Sequence, residues 1–355
     1  MIHDFAFFII DIIAAIIWII ILQRFDHHRE DKNKPKILII FFFGGCLSVI
    51  PAIFLSKAGI TFWEPLATGA YVPDSFLEHF LITGPAEEFS KFAVFALISI
   101  KLKSIQEPVD GMLQAACTAL GFAAVENFIY ASSYGYGNLL FRSFFSAGGH
   151  IVYAMLWGFF FGYFTYLGFR TDHGKRPWKL FMTALIPAAF FHGFFNFLVL
   201  TSPEITGYIV DAAALAAVIV LFKLTRRQSP YRKFSFKDYK EALHAISLGL
   251  KHHPDSFHLH KQISLYYIYG GFYKDAYEHL FFCRKKKPKD VVVKLLIGII
   301  SILLEDTQGG RIYLEEYLSG ATAKQKALLQ DKVKILIPRS EDRIQVLSEL
   351  HLCLS

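Results

Sequence analysis

The 355-residue chain is poor in charged residues. Only 19% of its residues are Asp, Glu, Lys or Arg, whereas 54% are hydrophobic and the mean hydropathy is +0.38. Soluble domains average about 25% charged residues, so this composition indicates a membrane protein. The formal net charge of +7 lies mostly in short loops and in the last third of the chain. It lacks the basic–aromatic alternation of a nucleic-acid surface, so we expect contact with an anionic membrane surface and no nucleic-acid partner.

Cysteine is also scarce, and some common site motifs are missing. The four cysteines are scattered and form no C-x-x-C pair, which argues against a disulfide framework and against a thiolate zinc site. No H-E-x-x-H motif occurs, so the zincin arrangement is excluded. The first residues contain neither a basic n-region nor a small-residue cleavage site. The first apolar run is therefore expected to remain as a membrane span.

Seven apolar stretches are long enough to cross about 30 Å of hydrocarbon, which takes about 20 helical residues. They lie near 5–22, 36–55, 79–100, 109–132, 143–168, 178–200 and 205–223. Lys and Arg are concentrated in alternate loops, which predicts a short outer N-terminus and a cytoplasmic C-terminal part. The fold is therefore predicted to be all-α. A polytopic bundle of about seven spans over 1–228 precedes a soluble cytoplasmic domain over 235–355.

The C-terminal domain contains a weak internal repeat. Ala242 and Pro254 recur as Ala276 and Pro288, 34 residues later, and 34 residues is the period of tetratricopeptide repeats. The pair Gly309-Gly310 falls where the turn of the next, degenerate unit is expected. A tetratricopeptide-like helical domain is predicted, and a generic helical bundle stays open as the alternative.

Four polar clusters interrupt the apolar spans. An ionisable group in hydrocarbon costs about 2.5–3.5 kcal/mol on insertion scales, so a chain that keeps several needs a reason. The clusters are Glu87-Glu88-x-x-Lys91, Phe122-x-x-x-Glu126-Asn127, Gly149-His150 and His192-x-x-x-Asn196. With the predicted topology and a rise of about 1.5 Å per residue, all four lie roughly 9–14 Å below the outer membrane boundary. This agreement in depth favours one shared site over four unrelated features.

The acidic clusters also have structural explanations. Lys91 follows Glu88 by three residues and Glu87 by four, the spacing of an ion pair on one side of a helix. Two acids against one base, however, leave a net negative charge that a packing pair does not need. Glu126 by itself could be a helix–helix hydrogen-bonding group, and the small residues around it would bring neighbouring helices close.

The remaining polar residues are weaker indicators when taken singly. A lone His150 or His192 is more often a satisfied packing residue than a ligand. Asn196 follows His192 by one helical turn, as an orienting amide would. Arg142 lies near the outer boundary, where snorkelling explains it equally well. Asp211 is solitary in the seventh span and is interpreted as a helix-pairing group.

In this order on successive spans, the clusters resemble those of the PrsW-type intramembrane proteases, within the wider group of CAAX prenyl endopeptidase and Abi-type membrane proteins. The likeness covers roughly residues 79–200 and includes Arg142, eight residues before His150. It implies a polytopic peptidase of the bacterial plasma membrane that cuts membrane-anchored regulators such as anti-sigma factors. Members of that family do not as a rule need a tetratricopeptide-like tail, which leaves substrate choice open.

The resemblance also implies a site. Its catalytic or metal-binding core would comprise Glu87, Glu88, His150 and His192, completed by Glu126 and Asn196 and supported by Lys91, Asn127 and Arg142. In one mechanism the two histidines and a carboxylate bind Zn²⁺ and a second Glu takes a proton from its water. In the other, a buried Glu is the general base, and His and Asn stabilise the oxyanion. The metal version is slightly favoured because it balances three acids.

The sequence thus predicts an enzyme, an intramembrane endopeptidase of metallo- or glutamate type. Its partners would be the lipid bilayer, a membrane-anchored protein substrate and a protein that the C-terminal domain binds. Two other classes stay open. An ion or small-solute transporter also lines its path with Glu, His and Asn, although no internal symmetry between halves is visible here. A non-catalytic membrane scaffold that displays the repeat domain would make the buried acids dispensable.

Overall fold

The structure, a computed structural model, describes residues 2–24, 34–67, 76–134, 142–167, 177–201, 204–322 and 326–354. All regular secondary structure in these ranges is helical, which confirms the predicted all-α class. The chain divides into two compact units, Met1–Ser229 and Pro230–Ser355. The assignment of the first as protease-like and of the second as a repeat domain stays a prediction.

The described part of the first unit consists of seven long helices. They are α1 (Ile2–Gln23), α2 (Lys34–Ala67), α3 (Gly84–Leu102), α4 (Pro108–Tyr134), α5 (Ala147–Leu167), α6 (Pro177–Thr201) and α7 (Glu204–Gln228). Each coincides with one predicted span to within a few residues, except that α2 continues about a dozen residues further. Two π-helical turns, Leu77–Thr83 and Arg142–Ser146, lead directly into α3 and α5.

Five apolar stretches among the described residues are long enough to cross a membrane. They are Pro35–Trp63, Pro108–Ser133, Arg142–Leu167, Ala184–Thr201 and Thr206–Gln228. Helix α1 is apolar over the shorter stretch Ile12–Gln23, and α3 carries Glu87, Glu88 and Lys91. The chain is therefore a helical membrane protein, and the count of seven spans stays a prediction.

Helices α4 and α5 form the centre of this unit. In each, 72% of the most apolar stretch is buried, against 39% or less in α2, α6 and α7. The outer helices expose large apolar side chains such as Phe54 and Ile209, as surfaces that face lipid do. The small residues of α4 permit close packing, because a Cβ atom on Gly121 would overlap the carbonyl oxygen of Phe42 on α2.

A second close approach joins α3 to α6. A Cβ atom added to Gly84 would lie 2.7 Å from the Cα atom of Gly193, so the two helices touch backbone to backbone. Gly193 directly follows His192, and Gly84 precedes Glu87 by three residues. This contact therefore brings the acidic pair of α3 to the same level as the histidine of α6.

The second unit is built from shorter helices. Its described helices are α8 (Tyr239–His252), α9 (Phe257–Gly270), α10 (Tyr273–Lys286), α11 (Val291–Leu303), α12 (Thr307–Gly320), α13 (Leu329–Leu336) and α14 (Ser340–Leu354). Ala242 and Ala276 are fully buried, and Gly271 ends α9 with φ +81°, a conformation that glycine adopts without strain. These features fit helix pairs of tetratricopeptide type, but that assignment stays a prediction.

The predicted turn at Gly309-Gly310 is wrong. Both glycines lie in the first turn of α12, and the chain reverses at 304–306 instead. The side chain of Asp306 caps α12 by accepting a hydrogen bond from the backbone N–H of Gly309. A Cβ atom on Gly310 would lie 2.9 Å from the carbonyl oxygen of Gly298 on α11. Glycine here allows two helices to approach and does not mark a chain reversal.

Candidate active site

The four polar clusters lie together inside the first unit. Helix α3 supplies Glu87, Glu88 and Lys91, whereas α5 and α6 supply one histidine each. Glu88 and Lys91 are 0% exposed, and His150 and His192 are 4% and 3% exposed. Groups of this kind stay buried only when they are paired, so their partners define the site.

Glu88 accepts three hydrogen bonds. Its Oε1 atom lies 2.7 Å from Nζ of Lys91 and 2.9 Å from Nδ1 of His192. Its Oε2 atom accepts a 3.0 Å hydrogen bond from the indole N–H of Trp157 on α5. Both oxygens are therefore occupied by donors, and three helices are joined through one carboxylate.

Glu87 is placed differently, because one of its oxygens lacks a donor. The Oε2 atom is buried and receives no hydrogen bond from the part of the chain that the structure describes. It lies 3.5 Å from Nε2 of His192 and 3.6 Å from Nζ of Lys91. An ionised carboxylate only accepts, so Nδ1 of His192 donates to Glu88, and in the neutral imidazole Nε2 presents a lone pair. Two acceptor atoms therefore face each other across 3.5 Å.

His150 bridges α3 and α4. Its Nδ1 atom lies 2.9 Å from Nζ of Lys91, and since an ammonium group only donates, this nitrogen accepts. The proton of the ring is then on Nε2, which lies 2.8 Å from Oε2 of Glu126. The Lys91 ammonium also lies 4.2 Å above the ring of Phe122, the residue that opens the second cluster.

Arg142 holds the acid and the amide of α4. Its Nη2 atom donates to Oε1 of Glu126 and its Nε atom donates to Oδ1 of Asn127, both at 3.1 Å. The guanidinium group lies 4.0 Å from the ring centroid of Tyr130. Arg142 is thus a partner of Glu126 and is not simply a snorkelling residue.

Asn196 is not joined to the other predicted site residues by a hydrogen bond. It is half-buried on α6, one helical turn after His192, and among the described residues no partner for its amide is present. The remaining predicted residues, from Glu87 to His192, form one connected set of contacts. Their individual roles in catalysis stay predictions.

The residues present fit a metal ion. Glu87, His150 and His192 each offer one ligand atom, and these atoms lie within 4.8 Å of one another. Two imidazoles and one carboxylate are a common ligand set of catalytic zinc sites, which keep a fourth position open for water. A cation bound between Oε2 of Glu87 and Nε2 of His192, which lie 3.5 Å apart, would also offset the repulsion of two acceptor atoms. Ligation by His150 would replace its contact with either Lys91 or Glu126.

Three residues near the site carried no catalytic interpretation in the sequence. Tyr153 and Trp157 follow His150 by three and seven residues, so they share one face of α5. Trp157 bonds to Glu88, and the Tyr153 ring stacks on His192 with centroids 5.2 Å apart. Asp211 accepts a hydrogen bond from the Tyr153 hydroxyl, so it does pair α7 with α5. The i, i+3, i+7 spacing from His150 is the signal that could have identified the two aromatic residues.

Known proteins resemble the chain over the unit that holds this site. The sequence model of the PrsW family of intramembrane metalloproteases matches residues 33–224, more than half of the 355 residues. A protein named Protease PrsW from Oceanobacillus iheyensis is 25% identical over 58% of this chain and 90% of its own length. Its namesake from Clostridioides difficile is 30% identical over 54% of this chain and 77% of its own length. No solved structure matches the chain.

Proposed function

This chain belongs to the PrsW family of intramembrane metalloproteases, and we propose that its Glu87–His192 site activates water to cut a membrane-anchored regulatory protein. Family membership makes the chain a protease that acts on membrane proteins in the bilayer. The substrate class that we add is a regulator anchored by a membrane segment, of the anti-sigma-factor kind. The cut would fall in the outer half of that segment, at the depth of the polar clusters.

The observation that carries this proposal is the pair of facing acceptor atoms. Oε2 of Glu87 and Nε2 of His192 are 3.5 Å apart, and the carboxylate oxygen is buried without a donor. A buried carboxylate oxygen that receives no hydrogen bond is costly, so a purely structural site would be expected to supply a donor. A cation or a reacting water between these atoms explains the arrangement.

We propose that Glu87, His150 and His192 hold Zn²⁺, which supplies a Lewis acid that makes a bound water nucleophilic near neutral pH. Glu88 has both oxygens occupied by donors, so it orients His192 rather than serving as a ligand, the alternative that the sequence left open. Such partners of ligating histidines fix the ring and its tautomer.

We propose that Glu126 transfers a proton from the attacking water to the leaving amine. Its Oε2 atom lies 2.8 Å from Nε2 of His150, and its Oε1 atom accepts a hydrogen bond from Arg142. The carboxylate would take a proton from the attacking water while the water oxygen bonds to the scissile carbonyl carbon. As the C–N bond breaks, the same proton would pass to the leaving amine. The amide of Asn196 would donate to the developing oxyanion.

Cleavage in proteoliposomes tests the proposal. The full chain is reconstituted with a fluorescent membrane-anchored peptide, and cleavage is compared for the wild type, Glu87→Gln and His192→Gln. We expect each variant to lose at least about 100-fold in rate, because removal of an acid, base or metal ligand costs that much or more. A chelator should abolish the wild-type activity and added Zn²⁺ should restore it.

Thr225→Val is the matched control for this experiment. Thr225 is a fully buried polar residue on α7 whose hydroxyl donates to the carbonyl of Phe222, away from the site, and its variant should retain the wild-type rate. Wild-type rates in folded Glu87→Gln and His192→Gln would overturn the assignment. Ion flux without peptide cleavage would favour the transporter instead, and cleavage insensitive to chelators would favour the metal-free Glu mechanism.

We further propose that the protein spans the plasma membrane with its second unit in the cytoplasm. The alternation of Lys- and Arg-rich loops supports this orientation. A helical-repeat unit there would recruit a partner or the tail of a substrate through its concave surface. Labelling of Cys353 by a membrane-impermeant thiol reagent in inverted vesicles, and not in intact cells, is the expected result.

A further inference from the structure

Asp211 is an ionisable residue that the proposed reaction does not use. It lies on α7, the helix that follows α6 in the first unit, and its Oδ1 atom accepts a hydrogen bond from the hydroxyl of Tyr153. Tyr153 is 1% exposed on α5. Its ring lies parallel to that of His192, with an interplanar angle of 20° and centroids 5.2 Å apart. A line of contacts therefore runs from α7 to the histidine that faces Glu87.

The ring of His192 is held from three directions. Glu88 fixes its Nδ1 atom at 2.9 Å, and the His150 ring meets it nearly edge-on at 83° and 4.9 Å. One hydrogen bond leaves the ring free to turn about that bond, and an edge-on neighbour constrains it little. The parallel Tyr153 ring is the contact that sets the plane of the imidazole. That plane decides whether Nε2 faces Oε2 of Glu87.

Tyr153 is itself fixed by Asp211, and Gly149 leaves the room for this. A Cβ atom on Gly149 would lie 3.4 Å from each carboxylate oxygen of Asp211 and 3.5 Å from the Tyr153 hydroxyl. That distance is ordinary contact for a methyl group, but a longer side chain would displace the carboxylate. Gly149, the residue just before His150, is therefore small enough to leave space for the Asp211 carboxylate beside Tyr153.

We propose that Tyr153 and Asp211 are positioning residues for the reaction. The Asp211 carboxylate fixes the Tyr153 hydroxyl, and the Tyr153 ring fixes the plane of His192 so that Nε2 faces Glu87. The effect on catalysis rests on the proposed function, whereas the orientation of the ring does not. A simple pairing of α5 with α7 would instead stabilise the unit without any influence on His192.

Two readouts on the full chain separate these roles. The first is the side-chain ¹H–¹⁵N spectrum of the histidines, in which the Nδ1–H signal of His192 is assigned by its loss in His192→Gln. The second is the split between kcat and KM for the membrane-anchored fluorescent peptide. Both are compared for the wild type, Asp211→Leu, Asp211→Asn and Tyr153→Phe. Thr225→Val again serves as the matched control on α7.

We expect Asp211→Leu and Tyr153→Phe to broaden or shift the His192 signal and to lower kcat about 10- to 100-fold, as small misplacements of reacting groups do. KM should change by less than roughly twofold, because binding of the substrate is not involved. Asp211→Asn should retain a His192 signal and a kcat close to those of the wild type, since its amide oxygen still accepts a hydrogen bond from Tyr153. Thr225→Val should leave both unchanged.

An unshifted His192 signal and an unchanged kcat in folded Asp211→Leu and Tyr153→Phe would overturn the inference, even if both variants melt at a lower temperature. Should Asp211→Leu fail to fold, Tyr153→Phe and Asp211→Asn decide in its place. If the wild type does not cleave the peptide, the proposed function fails. The His192 spectrum then supports or overturns the positioning role by itself.

Discussion

Among single residues, Lys91 is the cation on which the buried acids depend. Its ammonium group is fully buried, lies 2.7 Å from Oε1 of Glu88 and 2.9 Å from Nδ1 of His150, and has the second acid, Glu87, at 3.6 Å. The two acids and the histidine gather around one positive charge. A buried charge left without its partner typically destabilises a protein by about 3–5 kcal/mol.

Replacement of Lys91 by Met should therefore lower the melting temperature of the purified protein in detergent. Methionine retains most of the volume but leaves the Glu88 carboxylate without its ammonium donor, so we expect a loss of about 3–5 kcal/mol in unfolding free energy. Lys101→Met is the matched control, because Lys101 lies on the same helix and is exposed. Equal melting of the two variants would show that the ammonium group does not neutralise the site.

The residues that the sequence identified and those it missed differ in one physical respect. Glu87, Glu88 and Lys91 stand out because charge in an apolar helix is expensive and rare. Trp157 and Tyr153 contact the same groups, but aromatic residues make up 16% of the chain. Residue type therefore does not single out Trp157 or Tyr153 in the sequence. Only their helical spacing from His150 indicates that they lie near the site. Tertiary packing decides which Trp or Tyr side chain donates a hydrogen bond to a carboxylate.

Among helices, the contact between α3 and α6 sets the distance from the acidic pair to His192. It depends on Gly84 and Gly193, whose backbones touch. The π-helical turn at Leu77–Thr83 leads into α3, and Arg142–Ser146 leads into α5. Such turns are common near functional sites. They arise from a shift in backbone hydrogen bonding, so the side-chain pattern of the sequence does not predict them.

Gly84→Ala should separate α3 from α6 and reduce proteolysis. The added Cβ atom would lie 2.7 Å from the Cα and N atoms of Gly193, and backbone cannot move aside as a flexible side chain can. A shift of even 1 Å between reacting groups can cost about 100-fold in rate, so we expect a loss of at least about tenfold. The loss is measured as the rate at which Gly84→Ala cleaves the membrane-anchored peptide, relative to the wild type.

Gly148→Ala is the control for this helix contact. Its added Cβ atom would meet the Trp18 ring at 3.5 Å, an ordinary van der Waals distance, although Gly148 lies only two residues before His150. Gly148→Ala should retain the wild-type rate. Equal rates for Gly84→Ala and the wild type would mean that the glycine contact does not set the geometry of the site.

For the whole molecule, the division into two units places the proposed site entirely within the first unit. All described contacts of the site come from Met1–Ser229, and the family match ends at residue 224 within that unit. The long helices of the first unit were predictable from apolar length, and the helical character of the second unit was predicted from its 34-residue repeat. The glycine pair of α12 was misplaced, because glycine serves close helix contacts as well as turns, and its sequence context does not distinguish them.

A chain that ends after Ser229 should still cut a generic membrane-anchored peptide. The second unit supplies none of the described site contacts, so we expect the rate in proteoliposomes to stay within roughly threefold of the full chain. The same truncation with Glu87→Gln should be inactive and serves as the control. A folded but inactive truncation would show that the second unit contributes to the reaction itself.

The burial of Glu88 and Lys91 also constrains how the protein is made. On its own, α3 with two acids and a lysine is a poor segment for entry into lipid. The histidine that bonds Glu88 lies 104 residues later in the chain, on a helix synthesised after two others. We expect the nascent α3 to stay in an aqueous environment, such as the translocon channel, until α6 emerges. Insertion of α3 would thus be coupled to a helix made much later, through the same charges that form the proposed site.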